Sequence, residues 1–192
     1  MPELWLIRHG ETEWSLSGAH TGRTDIPLTE NGRRQAEALG RALANHTFSL
    51  VLTSPLARAR DTCALAGLGA QAEIDPHLRE WDYGDYEGHT TQQIRERNPQ
   101  WSLWRDGVPG GETIEQVAAR ADAAIARAAA AGGDAALFAH GHLLRILTAR
   151  WLGLEPAAAR LFALGTASIS TLGYERETRV ITRWNLSPDR GE

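Results

Sequence analysis

An arginine, a histidine and a glycine stand together at Arg8-His9-Gly10, directly after the apolar run Leu4-Trp5-Leu6-Ile7. A guanidinium binds oxyanions, an imidazole carries a nucleophilic nitrogen, and glycine lets backbone come close to a bound group. Transfer of a phosphoryl group to histidine needs those three properties in one place. The unperturbed histidine pKa of about 6.5 leaves a neutral nitrogen available near neutral pH. Two distant residues have matching chemistry. Arg58 falls in the first turn of a predicted helix, where a cation opposes the positive helix end unless an anion lies between them. His140 follows the apolar segment Ala135-Ala136-Leu137-Phe138-Ala139. Taken singly, Arg8 and Arg58 read as surface arginines and His9 as a strand-end histidine bonded to backbone; together they make an oxyanion site.

Convergence depends on the elements that carry these residues. Residues 4–8 and 49–53 read as short apolar strands without interior Pro or Gly, 71–75 as a third strand and 135–139 as a buried fourth. A helix is expected to open at Thr29 with Ala36, Leu39, Gly40 and Leu43 on one face. Ser54 is placed to cap a second helix with Pro55 at its first position. Thr113 and Gln116 suggest a capping box for a helix to about residue 131, and a last helix is expected over 143–152. Alternation over 168–174 and 180–185, around a polar segment, predicts an antiparallel hairpin. Between lies a long region, 77–111, with one short helix near 92–97; loops of such length are usually functional. Its Trp81, Trp101 and Trp104 could line a substrate mouth, bury a lid or contact another subunit, although loop tryptophans are more often packing anchors.

Strands alternating with helices give the expected class: α/β, a three-layer αβα sandwich with a mostly parallel central sheet and a C-terminal antiparallel hairpin, in one domain over 1–192. Ligands of open α/β sheets bind beyond the carboxyl ends of the strands. Arg8, His9, Arg58 and His140 all emerge at that edge if their strands are parallel.

Composition removes other classes. The net charge of -4 offers no basic surface for nucleic acid. Cys63 is the single cysteine, which rules out an internal disulfide and any multi-cysteine zinc site and fits the cytoplasm. The start of the chain has no signal-peptide pattern, and no apolar run approaches the roughly 20 residues that span a bilayer.

The ordered motifs Arg8-His9-Gly10-Glu11-Thr12, His20-Thr21-Gly22 to Leu28-Thr29, Ser54-Pro55-Leu56-Ala57-Arg58, Glu80-Trp81-Asp82-Tyr83-Gly84 and His140-Gly141-His142 resemble the histidine phosphatase superfamily, in its phosphoglycerate mutase-like branch. The resemblance implies that His9 becomes a phosphohistidine while Arg8, Arg58 and His140 hold the phosphoryl oxygens. It implies that Glu80 protonates the leaving oxygen and then activates water. Asp82, Asp85 and Glu87 are close enough in sequence to be confused with Glu80, and only the family motif selects it. A bound phosphate beside such a carboxyl favours its protonated form. Ser15, Thr21, Gly22, Tyr83 and Gly141 fall at positions the family uses for substrate, and His142 reads as structural.

Many mutases of the family carry Trp-Asn where this chain has Trp14-Ser15, and the chain is short between Glu80 and His140. A mutase must shield its phosphohistidine from water, so a shorter enclosure favours hydrolysis. The segments around Trp14 and Tyr83 resemble acid phosphatases and sugar-bisphosphate phosphatases. The expected activity is a phosphatase for small phosphomonoesters with no metal, no cofactor and neither nucleic acid nor membrane as partner, with a homodimer as the expected assembly. The alternatives are a cofactor-dependent phosphoglycerate mutase and a catalytically silent phosphate-binding regulator.

Overall fold

The computed structural model describes residues 1–188. Six strands form one sheet in the order β3-β2-β4-β1-β5-β6: β1 Leu4–Arg8, β2 Leu50–Thr53, β3 Ala72–Ile74, β4 Ala135–Ala139, β5 Ile169–Glu175 and β6 Thr178–Leu186. The first four are mutually parallel, and β5 and β6 are added antiparallel. The chain is therefore a mixed α/β protein with a mostly parallel sheet and a C-terminal hairpin.

Side chains alternate across the sheet, so each inner strand feeds two cores. Ile7, Val51, Ala136 and Phe138 meet Leu39 and Leu43 of α2 (Glu30–Leu43) and Cys63 and Ala66 in or just after α3 (Ala57–Leu65). Leu6, Leu52 and Leu137 meet Val117, Ala121 and Ile125 of α6 (Ile114–Ala129) and Leu144, Leu147 and Trp151 of α7 (Gly141–Trp151). Strand β4 lies between β1 and β2 with helices on both faces, and all five of its residues are buried. That is why its sequence is continuously apolar.

The register places the chemistry. Arg8 pairs with Ala139 and Thr53 with Phe138, so His9, His140 and Ser54 leave the sheet side by side at its carboxyl edge. Helix caps follow the sequence at Thr29, whose hydroxyl accepts from the Gly32 N–H, and at the Thr113–Gln116 capping box.

Four local features differ from expectation. A five-residue helix, α1 (Glu13–Ser17), interrupts the expected loop, capped by a reciprocal Thr12–Ser15 box. Helix α3 begins at Ala57, after Leu56, and has no side-chain cap; the Ser54 hydroxyl is directed elsewhere. Helix α7 begins at Gly141, two residues earlier than expected. In the long loop, α4 (Thr91–Arg97), with its Thr90–Gln93 capping box, is joined by a four-residue α5 (Leu103–Asp106).

Candidate active site

His9 begins the turn after β1, and its ring is almost wholly buried. Its Nδ1 lies 2.7 Å from the Gly10 carbonyl oxygen. A carbonyl only accepts, so Nδ1 carries the hydrogen and Nε2 of the neutral ring keeps a free lone pair. Burial first, then the Arg8 and Arg58 charges, holds the His9 pKa well below its ordinary value. The nucleophilic form is thus the resting form. The turn is fixed from behind: Thr62 of α3 accepts the Gly10 N–H at 3.0 Å and donates to the Arg58 carbonyl at 2.7 Å. Gly10 meets α2 backbone to backbone, since a β-carbon on it would lie 2.4 Å from the Gly32 carbonyl oxygen.

The two arginines are anchored by carbonyls rather than carboxylates. Arg58 donates at 3.0 Å to the carbonyls of Thr21, Gly22 and Thr24, which offsets its position at the positive end of α3. Arg8 donates to the Leu164 carbonyl. Burial lowers both guanidinium pKa values from their ordinary range, with Glu80 and Tyr83 opposing.

His140 stands beside His9 with ring centroids 5.2 Å apart. Its Nε2 is 2.7 Å from the Ser54 hydroxyl, which also accepts the Leu56 N–H. Burial, then the Arg58 charge, keeps the His140 pKa well below normal. A neutral ring receiving the Ser54 proton at Nε2 must carry its own hydrogen at Nδ1. Among the described residues that buried Nδ1 has no protein partner, and neither have Arg8 Nε and Arg58 Nε. A buried donor left unpaired costs about 1–3 kcal/mol, and more when charged. Three such donors from three chain segments form a site for an anion rich in acceptors.

Glu80 approaches from the long loop and is held by the start of α7. Its Oε1 accepts the N–H groups of Trp81 and Leu143, each at 2.9 Å, and its Oε2 accepts that of His142 at 3.0 Å. The carboxylate thereby caps a helix whose own N-cap residue, His140, supplies no side-chain bond. Oε2 holds a single protein hydrogen bond and is the oxygen better able to exchange a proton.

These groups adjoin a cavity of about 280 Å³ lined by Arg8, His9 and Glu80, with Arg58 and His140 fully buried outside its lining. Ser15, Thr21, Tyr83 and Gly141 also line it. Their contacts refine the expectation for each. The Ser15 hydroxyl donates to the Thr12 carbonyl at 2.8 Å and accepts the Thr12 N–H at 2.9 Å, so its oxygen caps α1 and its proton is committed to the Thr12 carbonyl. Thr21 Oγ1 donates to the Ala19 carbonyl. Gly141 lets the Arg8 guanidinium lie flat on the first turn of α7, because a β-carbon there would sit 3.3 Å from Arg8 Cζ. Tyr83 is buried, and burial pushes its phenol well above its ordinary pKa; its hydroxyl pairs with His142 Nδ1. Gly22 lies outside this cavity: its N–H donates to Glu87 at 2.9 Å and its carbonyl receives Arg58, so it shapes the arginine cage rather than the wall.

Three residues in or behind the site are not singled out for it by the sequence. Ser54 reads from sequence as a helix cap, whereas its hydroxyl lies against His140 behind the site, and its place at a strand's carboxyl end is the signal for that. Arg145 lines the cavity one helical turn beyond Gly141, a spacing that was also readable. His20, whose Nε2 is buried without a partner and whose pKa burial lowers to about 4, was visible only as part of a family motif. Among the tryptophans, Trp81 and Trp101 are packing anchors, donating to the Glu112 and Gly107 carbonyls.

The family model described as "Histidine phosphatase superfamily (branch 1)" matches residues 4–187. The acid phosphatase of Mycobacterium tuberculosis is 46% identical over 188 residues, covering 96% of this chain and 92% of that one. The sedoheptulose 1,7-bisphosphatase of Saccharomyces cerevisiae is 38% identical over 185 residues, covering 80% of this chain and 68% of that one. The solved mycobacterial glucosyl-3-phosphoglycerate phosphatase in complex with VO3 superposes with a TM-score of 0.87 at 32% identity, covering 97% of this chain and 100% of that one. With its motifs spaced along one sheet edge and the family model spanning nearly its full length, the chain belongs to the histidine phosphatase superfamily, branch 1.

Proposed function

We propose that the protein is a phosphoric monoester hydrolase acting on small phosphorylated metabolites through a phosphohistidine on His9. The observation that carries this reading is the triad of partnerless buried donors, Arg8 Nε, Arg58 Nε and His140 Nδ1, around a histidine with a free Nε2. In the first step the His9 Nε2 lone pair forms the N–P bond as the bond from phosphorus to the substrate oxygen breaks. The proton for that leaving oxygen comes from Glu80. In the second step a water oxygen attacks the phosphohistidine, Glu80 takes its proton, and the N–P electrons return to His9. Arg8, Arg58 and His140 meet the charge on the phosphoryl oxygens throughout.

Phosphatase relatives and the Ser15 departure both favour water over a second hydroxyl as the final acceptor. Among the described residues no helix is long and apolar enough to cross a membrane. The cytoplasm is the compartment this reading assigns, since small phosphorylated metabolites are made there and the buried Cys63 has no cysteine partner.

Phosphate release from p-nitrophenyl phosphate and from an alkyl phosphate tests the assignment. His9→Ala is expected to abolish both. Glu80→Gln is expected to slow the alkyl ester by about 100-fold or more and the nitrophenyl ester much less, because nitrophenolate leaves without a proton. Equal losses on the two esters contradict the role given to Glu80, and full activity in His9→Ala contradicts the reaction itself.

A further inference from the structure

We infer that Arg120 and Glu112 are positioning residues for the proton donor: their ion pair fixes the backbone around Glu80 and so keeps its carboxyl in reach of the leaving oxygen. The inference rests on the phosphatase reading and adds to it the means by which the acid is held in place. Residues 79–83 belong to neither helix nor strand, so no ladder or helical turn fixes the segment that carries Glu80. A general acid must stay within about 2.6–3.2 Å of the atom that receives its proton, and a misplacement of about 1 Å costs on the order of 100-fold in rate. The segment therefore needs an anchor from outside.

Arg120 supplies it from α6, a helix whose Val117 and Ala121 are buried in the core. A guanidinium offers its N–H donors in a rigid planar fork, and every donor nitrogen of Arg120 is engaged. Nε and Nη2 donate to the two carboxylate oxygens of Glu112, each at 2.8 Å. Nη1 donates to the carbonyls of His77 and Arg79, each at 2.8 Å, and Nη2 also reaches the Glu80 carbonyl at 3.4 Å. Glu112 continues the clamp. Its Oε2 accepts the Asp82 N–H at 3.0 Å, its carbonyl accepts the Trp81 indole N–H at 2.9 Å, and its own N–H donates to the Asp82 carbonyl at 3.0 Å. The pair thus ties down the residues on both sides of Glu80 as well as Glu80 itself. At the other end, the Glu80 carboxylate is held by the first N–H groups of α7. The acid is strung between two helices, and loss of the α6 anchor leaves its backbone free to shift relative to His9. Neither Arg120 nor Glu112 lines the cavity that holds His9, so both act through Glu80 rather than on the substrate.

The dependence on leaving group tests this, because a displaced acid harms only the ester that needs its proton. kcat/KM is measured for butyl phosphate and p-nitrophenyl phosphate, with circular dichroism to check the fold. Arg120→Lys keeps the charge but loses the planar fork, and is expected to lower kcat/KM for butyl phosphate by about 10-fold more than for p-nitrophenyl phosphate. Glu112→Gln, which leaves the arginine in place, is expected to shift the ratio the same way by about threefold or more. In a Glu80→Gln background the Arg120→Lys change is expected to leave the ratio of the two esters within about twofold, since the group being positioned is already gone. Equal losses on both esters in the folded variants overturn the inference, as does a further shift of the ratio in the Glu80→Gln background. Loss of the fold in both single variants overturns it too, because the pair is then a requirement of folding. Failure of the underlying reading is separate: it appears as no wild-type hydrolysis of either ester, or as equal losses on the two esters in Glu80→Gln alone.

Discussion

His140 holds its useful proton at Nδ1 because Ser54 occupies Nε2, a division of labour set by a single hydroxyl 2.7 Å away. Ser54→Ala leaves the ring free to place its hydrogen on either nitrogen and to rotate. The expected result is a fall in kcat of about tenfold, corresponding to one lost hydrogen bond, with KM little changed. Steady-state kinetics with p-nitrophenyl phosphate measures it, and Ser54→Thr, which restores a hydroxyl, is expected to recover part of the rate. Unchanged kcat in the alanine variant contradicts the positioning role. At this scale the types of the reacting residues were legible in the sequence, but their partners were not. Arg8-His9-Gly10 announces oxyanion chemistry through residue type alone. The Ser54 hydroxyl, 86 positions from His140, is linked to it only by strand register, and the free proton of Ser15 is removed by a cap that Thr12 supplies.

Strands and long helices were readable from periodicity, and the short elements that line the cavity were not. Helices α2 and α6 have caps and one apolar face over three turns or more, which leaves little choice of conformation. Helix α1 has five residues, and its cap uses Ser15 where the usual box has Glu or Gln, so neither length nor composition marks it. Helix α7 starts early because Glu80, from a remote loop, supplies the cap that the local sequence lacks. Capping energetics give a direct check. Thr113→Ala removes the hydroxyl that accepts the Gln116 N–H at 3.2 Å and is expected to destabilise the protein by about 1 kcal/mol without altering kcat. Urea unfolding monitored by tryptophan fluorescence reads the change. A loss below about 0.3 kcal/mol contradicts the view that this cap fixes the start of α6.

At the scale of the whole molecule, the site is a buried, positively charged pocket that the fold must hold together before substrate arrives. His9, His20, His140 and His142 all have depressed pKa values, each with burial as the largest cause. These rings stay neutral in the native state, whereas the unfolded chain takes up their protons near pH 6.5. Native stability from this source is complete above that pH and is lost as pH falls toward the folded values. Each such histidine contributes up to about 1.4 kcal/mol per pH unit within its window. Unfolding free energies measured at several values between pH 7.5 and pH 5 are expected to fall with acidification. Stability that is flat or rises across that interval contradicts the neutral, buried histidines. The α/β architecture itself was legible, since strands alternating with helices on a parallel sheet have few arrangements. The cavity was not, because it is assembled from the ends of β1 and α7 and the loop segments around Thr21 and Glu80, which meet only in three dimensions.

The central claim is that phosphorus becomes bonded to His9. Mixing the protein with a 32P-labelled phosphomonoester, quenching within the first turnover and separating protein from small molecules measures that bond directly. The account predicts label on the protein that survives alkali, is released by acid, maps to the peptide containing His9 and is absent from His9→Ala. Rapid hydrolysis with no labelled protein at any quench time, and with activity undiminished in His9→Ala, would contradict it.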